Sequence, residues 1–213
     1  MKIIKIDQEN PSENILKQAA DKLRTDGVII HPTETVYGLA CLYSSEEAIK
    51  KCLDIKGRSK SQPFSLMVNS VEKMLEISGV NSFWLESVLK KLFPAPITVL
   101  IRREKKISPN FWNQFPYLGF RFPDHQLSLK LMSFVNSPII TTSANFTGQP
   151  PPSDVEEISE KVKEAVDIIL DGGKTNLKIA STIIQINLNK KEFKILRKGA
   201  VSENFITKCF VKS

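Results

Sequence analysis

The sequence predicts an α/β fold built on a mixed sheet. Three features carry that prediction: short apolar strands alternate with segments of helical apolar spacing, capping residues and glycine or proline stops punctuate the alternation, and the last two strands lie close enough for a hairpin. A chain of 213 residues, 41% apolar, with no internal repeat or low-complexity linker, suits a single domain over 1–213.

Taken in order, 3–6 reads as a short strand and Asn10-Pro11-Ser12-Glu13 as a capped helix start, after which Ile15, Ala19 and Leu23 share one face until Gly27. A buried-type strand over 28–30 leads into the polar turn Pro32-Thr33-Glu34-Thr35 and a strand over 37–40. The next helix spans 44–56, with Ser44 and Glu47 as a capping box and Ala48, Ile49, Cys52 and Leu53 on its apolar face, and it fixes where Lys56 and Arg58 emerge. A strand over 64–68, helices over 71–77 and 83–93, the stop Pro94-Ala95-Pro96 and a strand over 97–101 follow. Phe111, Trp112, Phe115 and Tyr117 keep no repeated register, so they read as core and loop packing rather than stacking platforms for RNA. The remainder is a strand over 119–122, a helix from His125 to 135, a strand over 137–142, a helix over 155–165, strands over 167–170, 181–186 and 193–196, and a short helix after Ser202.

The formal charge of +7 favours polyanionic partners such as nucleotides or RNA. Five cations lie within 50–60 and seven within 190–212, whereas 154–167 is acidic. The N-terminus offers no signal-peptide pattern, no apolar run reaches membrane-spanning length, and Cys41, Cys52 and Cys209 form no CxxC pair. The expectation is a cytoplasmic protein with reduced core thiols and no membrane contact.

Several chemistries lack their residues. Two histidines, His31 and His125, and no paired cysteines leave a zinc site without donors at usable spacing. His31 reads as a strand end and His125 as a helix start. No GxSxG elbow supports a serine triad. Asp171-Gly172-Gly173-Lys174-Thr175 imitates the end of a P-loop, but Ile168 stands where its first glycine belongs and no helix follows. What remains is the loop Lys56-Gly57-Arg58-Ser59-Lys60-Ser61-Gln62-Pro63, which has the composition of a phosphate-holding loop and equally that of a solvated basic surface. Polar clusters also end several strands: 33–35, Arg121, 143–145 and Ser181-Thr182. Strand ends in open α/β sheets converge on one crevice.

These residues add up to a resemblance. PTETVYGLA at 32–40, KGR at 56–58 with QPF at 62–64, GFRFPDH at 119–125, TTSANFTG at 141–148, ASTIIQ at 180–185 and LRKG at 196–199 resemble, in order, the YrdC/TsaC family of L-threonylcarbamoyladenylate synthases, in its short form. The resemblance implies a twisted mixed parallel and antiparallel sheet flanked by helices around a positively charged cleft. It implies condensation of L-threonine, bicarbonate and ATP into threonylcarbamoyl-AMP and pyrophosphate, for N6-threonylcarbamoyladenosine modification of tRNA. tRNA and the tRNA threonylcarbamoyl-transferase machinery would then be further partners. Lys56 and Arg58 are expected at the ATP phosphates as the catalytic pair, with Arg58, Gln62, Tyr117, Asn145, Ser153 and Arg197 on the nucleotide and Thr35, Arg121, Ser143 and Ser181 on threonine. Mg²⁺ is expected on the triphosphate, with no protein ligand identifiable.

Three departures stand out: Ala95 replaces a usual glycine, Lys198 a commoner proline, and Met67 a histidine of some relatives. Arg121 can grip a carboxylate through two parallel hydrogen bonds, or pair with Asp124 at the surface. An RNA-binding module, or an adenylate-forming carbamoyl-transfer enzyme, would share parts of this pattern. Neither needs the threonine-side residues.

Overall fold

The computed structural model describes residues 2–59 and 61–211; Lys60 of the cationic loop and Lys212 of the basic tail lie outside the described residues. In chain order the elements are β1 (Lys2–Lys5), α1 (Glu13–Arg24), β2 (Ile29–His31), β3 (Gly38–Leu42), α2 (Glu46–Lys56), β4 (Ser65–Met67), α3 (Val71–Ser78), α4 (Phe83–Leu92) and β5 (Ile97–Arg102). A 3-10 turn at Asn110–Gln114 precedes β6 (Tyr117–Arg121), α5 (Gln126–Val135) and β7 (Ile139–Ser143); a second, at Val155–Glu157, precedes α6 (Glu160–Glu164), β8 (Ile168–Asp171), β9 (Thr182–Asn187), β10 (Glu192–Arg197) and α7 (Glu203–Val211).

The strands form one sheet in the order β1-β8-β2-β3-β7-β4-β6-β5-β9-β10. β8 runs parallel to β1 and β2, β4 to β6 and β5 to β9, while β3 and β7 pair antiparallel and β9-β10 is the expected hairpin. The sheet is mixed, as the sequence predicts. Alternation along each strand divides the apolar residues between two cores. Ile29, Ala40, Met67 and Ile139 face one core with Leu16 and Leu23 of α1 and Leu127 and Leu131 of α5; Ile30, Leu39, Leu66 and Ile140 face the other with α2, α3, α4 and α7. Met67 is therefore a core residue, fully buried on β4.

Three local expectations are corrected. Ser45, not Ser44, caps α2, its hydroxyl accepting from Ala48 N at 3.0 Å. Ser12 occupies the cap position of α1 without a side-chain bond, and Asp7 instead takes the nearby Glu9 and Asn10 amides at 2.8 Å. The single helix expected over 155–165 is broken at Ile158 and Ser159, whose extended backbones divide the 3-10 turn from α6. Asp154 caps Glu156 N and Glu157 is bound back by Ser153, so the acidic side chains tie up the first turn locally rather than leaving it to propagate.

The aromatic segment packs as expected. Trp112 is fully buried and donates from Nε1 to the Tyr43 carbonyl at 2.9 Å, while Phe111 lies edge-on to Trp112 and Phe115 with centroids 5.0 and 5.4 Å away. Trp112→Ala removes that ring and leaves the Tyr43 carbonyl unpaired. A loss of about 3–5 kcal/mol in unfolding free energy is expected, read from urea denaturation.

Candidate active site

α2 delivers Lys56 and Arg58 to the end of β7. The helix stops because Gly57 turns into the left-handed region at φ 57, a conformation glycine takes without strain, and its N–H returns to the Asp54 carbonyl. Lys56 is buried, and its Nζ donates to the Ser143 carbonyl at 2.6 Å and to Asn145 Oδ1 at 2.9 Å. Asn145 Nδ2 in turn donates to the Gln149 carbonyl. The Lys56 carbonyl accepts from Thr147 N and Thr147 Oγ1, both at 3.0 Å, so the helix end and the 143–149 loop are stitched together twice. All these partners are neutral. Burial, and then the neighbouring Arg58 charge, pull the Lys56 ammonium down to about 7.

Arg58 lies over the Phe64 ring, 5.3 Å from its centroid, and donates to the Pro63 carbonyl at 3.3 Å. Its Nε is buried with no protein acceptor, a donor left for something else.

Across the cleft, Arg121 at the end of β6 donates from Nη2 to Thr35 Oγ1 at 2.6 Å, Glu34 Oε1 at 2.9 Å and Thr33 Oγ1 at 3.2 Å. Its ionic partner is thus the buried Glu34, and not Asp124 as one reading of the sequence had it. Thr175 Oγ1 donates to the Thr35 carbonyl at 2.9 Å and Leu177 N to the Glu34 carbonyl at 3.0 Å, which pins the polar turn from behind. The P-loop-like run joins this support: Tyr37 Oη donates to the Gly173 carbonyl at 2.6 Å and accepts from Gly172 N at 3.1 Å.

Both histidines are buried and neutral. His31 Nδ1 donates to the Pro32 carbonyl at 3.0 Å, and burial lowers its pKa to about 3; His125 caps α5, bonds Gln8 Oε1 through Nε2 at 3.0 Å, and is lowered to about 4 by burial. They end a strand and start a helix, as expected.

The last wall comes from β9 and β10. Arg197 donates from Nη2 to the Ser181 carbonyl at 2.8 Å and from Nε to the same oxygen at 3.2 Å, and Ser181 Oγ lies 2.9 Å from Thr98 Oγ1. Gly199 makes this possible, since a Cβ there would stand 2.3 Å from the Ala180 carbonyl oxygen and 2.5 Å from the Ser181 carbonyl carbon. Together these elements enclose a cleft of about 370 Å³ with Lys56, Arg58, Arg121 and Arg197 in its lining. Among the described residues, no carboxylate lines it.

The family model for Sua5, YciO and YrdC proteins, described as telomere recombination, matches residues 21–199. The chain belongs to the Sua5/YciO/YrdC family. It is 30% identical over 210 residues to a putative threonylcarbamoyl-AMP synthase of Methanocaldococcus jannaschii, covering 98% of each protein, and 28% identical over 179 residues to threonylcarbamoyl-AMP synthase of Pyrococcus abyssi, covering 84% of this chain and 53% of that one. The chain spans about half the length of the P. abyssi and Bacillus subtilis relatives. The crystal structure of P. abyssi Sua5 complexed with L-threonine superimposes with a TM-score of 0.89 at 28% identity, over 98% of this chain and 61% of that chain. Escherichia coli YciO shares the fold at a TM-score of 0.85 and 22% identity, over 97% of this chain and 100% of that chain.

Of the eleven residues expected at the site, eight line the cleft: Thr35, Lys56, Arg58, Arg121, Ser143, Asn145, Ser181 and Arg197. Gln62, Tyr117 and Ser153 do not. Gln62 is exposed, Tyr117 sits at the far end of β6 from Arg121, and the Ser153 hydroxyl is bonded to Glu157 at 3.1 Å. Thr98 and Thr141 line the cleft without having been singled out as site residues; the signal was a hydroxyl interrupting an apolar strand. Ala95 has no positive φ, so alanine fits there without strain, and the Lys198 turn is held by Arg197 and by Ala200 N on the Ala180 carbonyl at 3.1 Å.

Gly199→Ala should force the 180–182 backbone away. A loss of about 1–3 kcal/mol is expected, together with faster amide exchange at 180–182, measured by denaturation and hydrogen-exchange mass spectrometry. An unchanged stability would mean that the close approach is relieved elsewhere.

Proposed function

We propose that the chain is a threonylcarbamoyl-AMP synthase, making threonylcarbamoyl-AMP and pyrophosphate from L-threonine, bicarbonate and ATP for N6-threonylcarbamoyladenosine modification of tRNA. The observation that carries this reading is one cleft, with no carboxylate among its described lining residues, that has two cationic ends, Lys56-Arg58 beside Asn145 and Arg121 beside Thr35. One end suits a polyphosphate and the other an amino-acid carboxylate. The names of the relatives and the threonine-bound neighbour support the assignment.

In this reading the threonine amine takes up carbon dioxide with loss of a proton, or bicarbonate with loss of water, to give a carbamate. A carbamate oxygen then attacks the α-phosphate, and the bond to pyrophosphate breaks. Such transfers require placement and charge neutralisation rather than a covalent nucleophile. Lys56 and Arg58 supply the charge, Asn145 and the Ser143 carbonyl hold the ammonium in place, and Arg197 and Ser181 close the opposite wall. Gln62 and Ser153 lie one and two residues along the chain from the lining residues Pro63 and Pro151, and a nucleotide contact for them and for the Tyr117 backbone belongs to this proposal. With no anionic ligand in the cleft lining, Mg²⁺ would arrive on the triphosphate. tRNA and the transferase that consumes the adenylate are the partners this activity requires.

The purified protein, without tRNA, is expected to release pyrophosphate from ATP only when L-threonine and bicarbonate are both present. Release that ignores threonine would sink the assignment. Arg58→Ala should slow the reaction by roughly 10²-fold in folded protein, since it removes an oriented donor to the transferring phosphate.

A pH test follows from Lys56. Its pKa of about 7 in the free protein rises when a triphosphate binds, so binding at pH 8 takes up a proton and binding at pH 6 does not. Calorimetry of Mg·ATP in buffers of different ionisation enthalpy should show uptake of about one proton at pH 8. In Lys56→Arg the uptake should vanish.

A further inference from the structure

We infer that Glu34 is a positioning residue that presets Arg121 for an amino-acid carboxylate. The role rests on the reading above, in which this end of the cleft takes L-threonine.

Arg121 Nη2 carries two protons and faces three oxygens, those of Thr33, Glu34 and Thr35. Nε, on the same edge of the guanidinium, is buried and has no acceptor. Arg121 lines the cleft, which leaves its nitrogens other than Nη2 for a ligand. Nη2 is thus committed to the protein, and a carboxylate entering the cleft meets the remaining donors of Arg121, with the hydroxyls of the cleft beside it.

Glu34 is what makes this orientation stable. A buried guanidinium needs a counter-charge, and a carboxylate fixed on the Nη2 edge supplies it while leaving the cleft side free. The Glu34 backbone is held, because its carbonyl accepts from Leu177 N; its carboxylate is fixed through Oε1 on Arg121, with Oε2 buried and unpartnered, and it lies outside the cleft lining at 5% exposure. An entering ligand has no need to displace it. That geometry argues against the opposite role, an internal stand-in that blocks Arg121 until substrate arrives.

The two roles predict opposite signs. Pyrophosphate release is measured with threonine varied at saturating ATP and bicarbonate, and then with ATP varied. Glu34→Ala is expected to raise KM for threonine about tenfold while kcat and KM for ATP stay within about threefold. Glu34→Gln keeps an oxygen acceptor but not the counter-charge, and should recover only part of that loss. The preference in kcat/KM for L-threonine over L-threoninamide should shrink in Glu34→Ala, because only the first carries a carboxylate. A threonine KM that is unchanged or lowered in Glu34→Ala overturns the proposal, as does an equal rise for both substrates. If Glu34→Ala does not fold, Thr33→Val decides, since it removes one Nη2 acceptor without altering charge. A rise of about threefold in KM for threonine alone is expected there, and no change overturns the proposal. The unaltered protein separates the two possible failures: threonine-independent release sinks the reading of the cleft, whereas threonine dependence that survives Glu34→Ala intact sinks only the role of Glu34.

Discussion

A buried ammonium with no carboxylate beside it is the constraint on which the cleft depends. Lys56 Nζ joins the end of α2 to the end of β7 through a carbonyl and a carboxamide, and both are neutral. Neutral acceptors satisfy its protons without cancelling its charge, so part of the desolvation cost remains. The same holds around it: burial lowers Arg58 and Arg197 from their usual range, and Arg197 also feels Arg121. A wall of under-compensated cations is less stable than a paired one would be. What it gains is a standing attraction for an anion, fixed in place before the anion arrives.

The two ends of the cleft solve the problem of burying charge differently. At the Lys56 end no carboxylate among the described residues lines the cleft, which suits the polyanion proposed for it. At the Arg121 end the charge is balanced internally by Glu34, which engages one nitrogen of the guanidinium. A singly charged carboxylate needs direction more than field, and a triphosphate needs field more than direction. That division follows from the ligands proposed, and it explains why one basic cleft need not confuse them.

Much of the fold was legible because its signals are local. Alternating apolar runs located every strand to within a residue or two, and the 3.6-residue spacing of Ala48, Ile49, Cys52 and Leu53 identified α2 and hence the exit of Lys56. Local signals also misled. The capping-box pattern favours Ser44, with Glu47 three residues on, yet Ser45 is the residue that caps the helix. The break at Ile158 arises from Ser153, Asp154 and Glu157 bonding one another, which a helical pattern does not reveal. At the site, Lys56 and Arg58 were readable because they are neighbours on a helix end. The Glu34–Arg121 pair joins residues 87 apart in the chain, and the contact of Lys56 with Asn145 spans 89. No periodicity encodes such pairings; they exist only once the sheet has set β6 and β7 on either side of β4.

That sheet order also governs when the cleft can exist. β9 inserts beside β5 and carries β10 with it, so Ser181 and Arg197 reach the wall shared with Thr98 only after strands more than eighty residues apart have paired. A chain emerging from a ribosome can complete α2 and expose its lysine and arginine long before the opposite wall has been synthesised. Until then those cations border an open groove that cannot hold two small molecules against each other. Non-local pairing of this kind is slow, and the cleft is complete only once it has formed. A chain that has not yet paired β9 with β5 therefore presents those cations without the cleft they line.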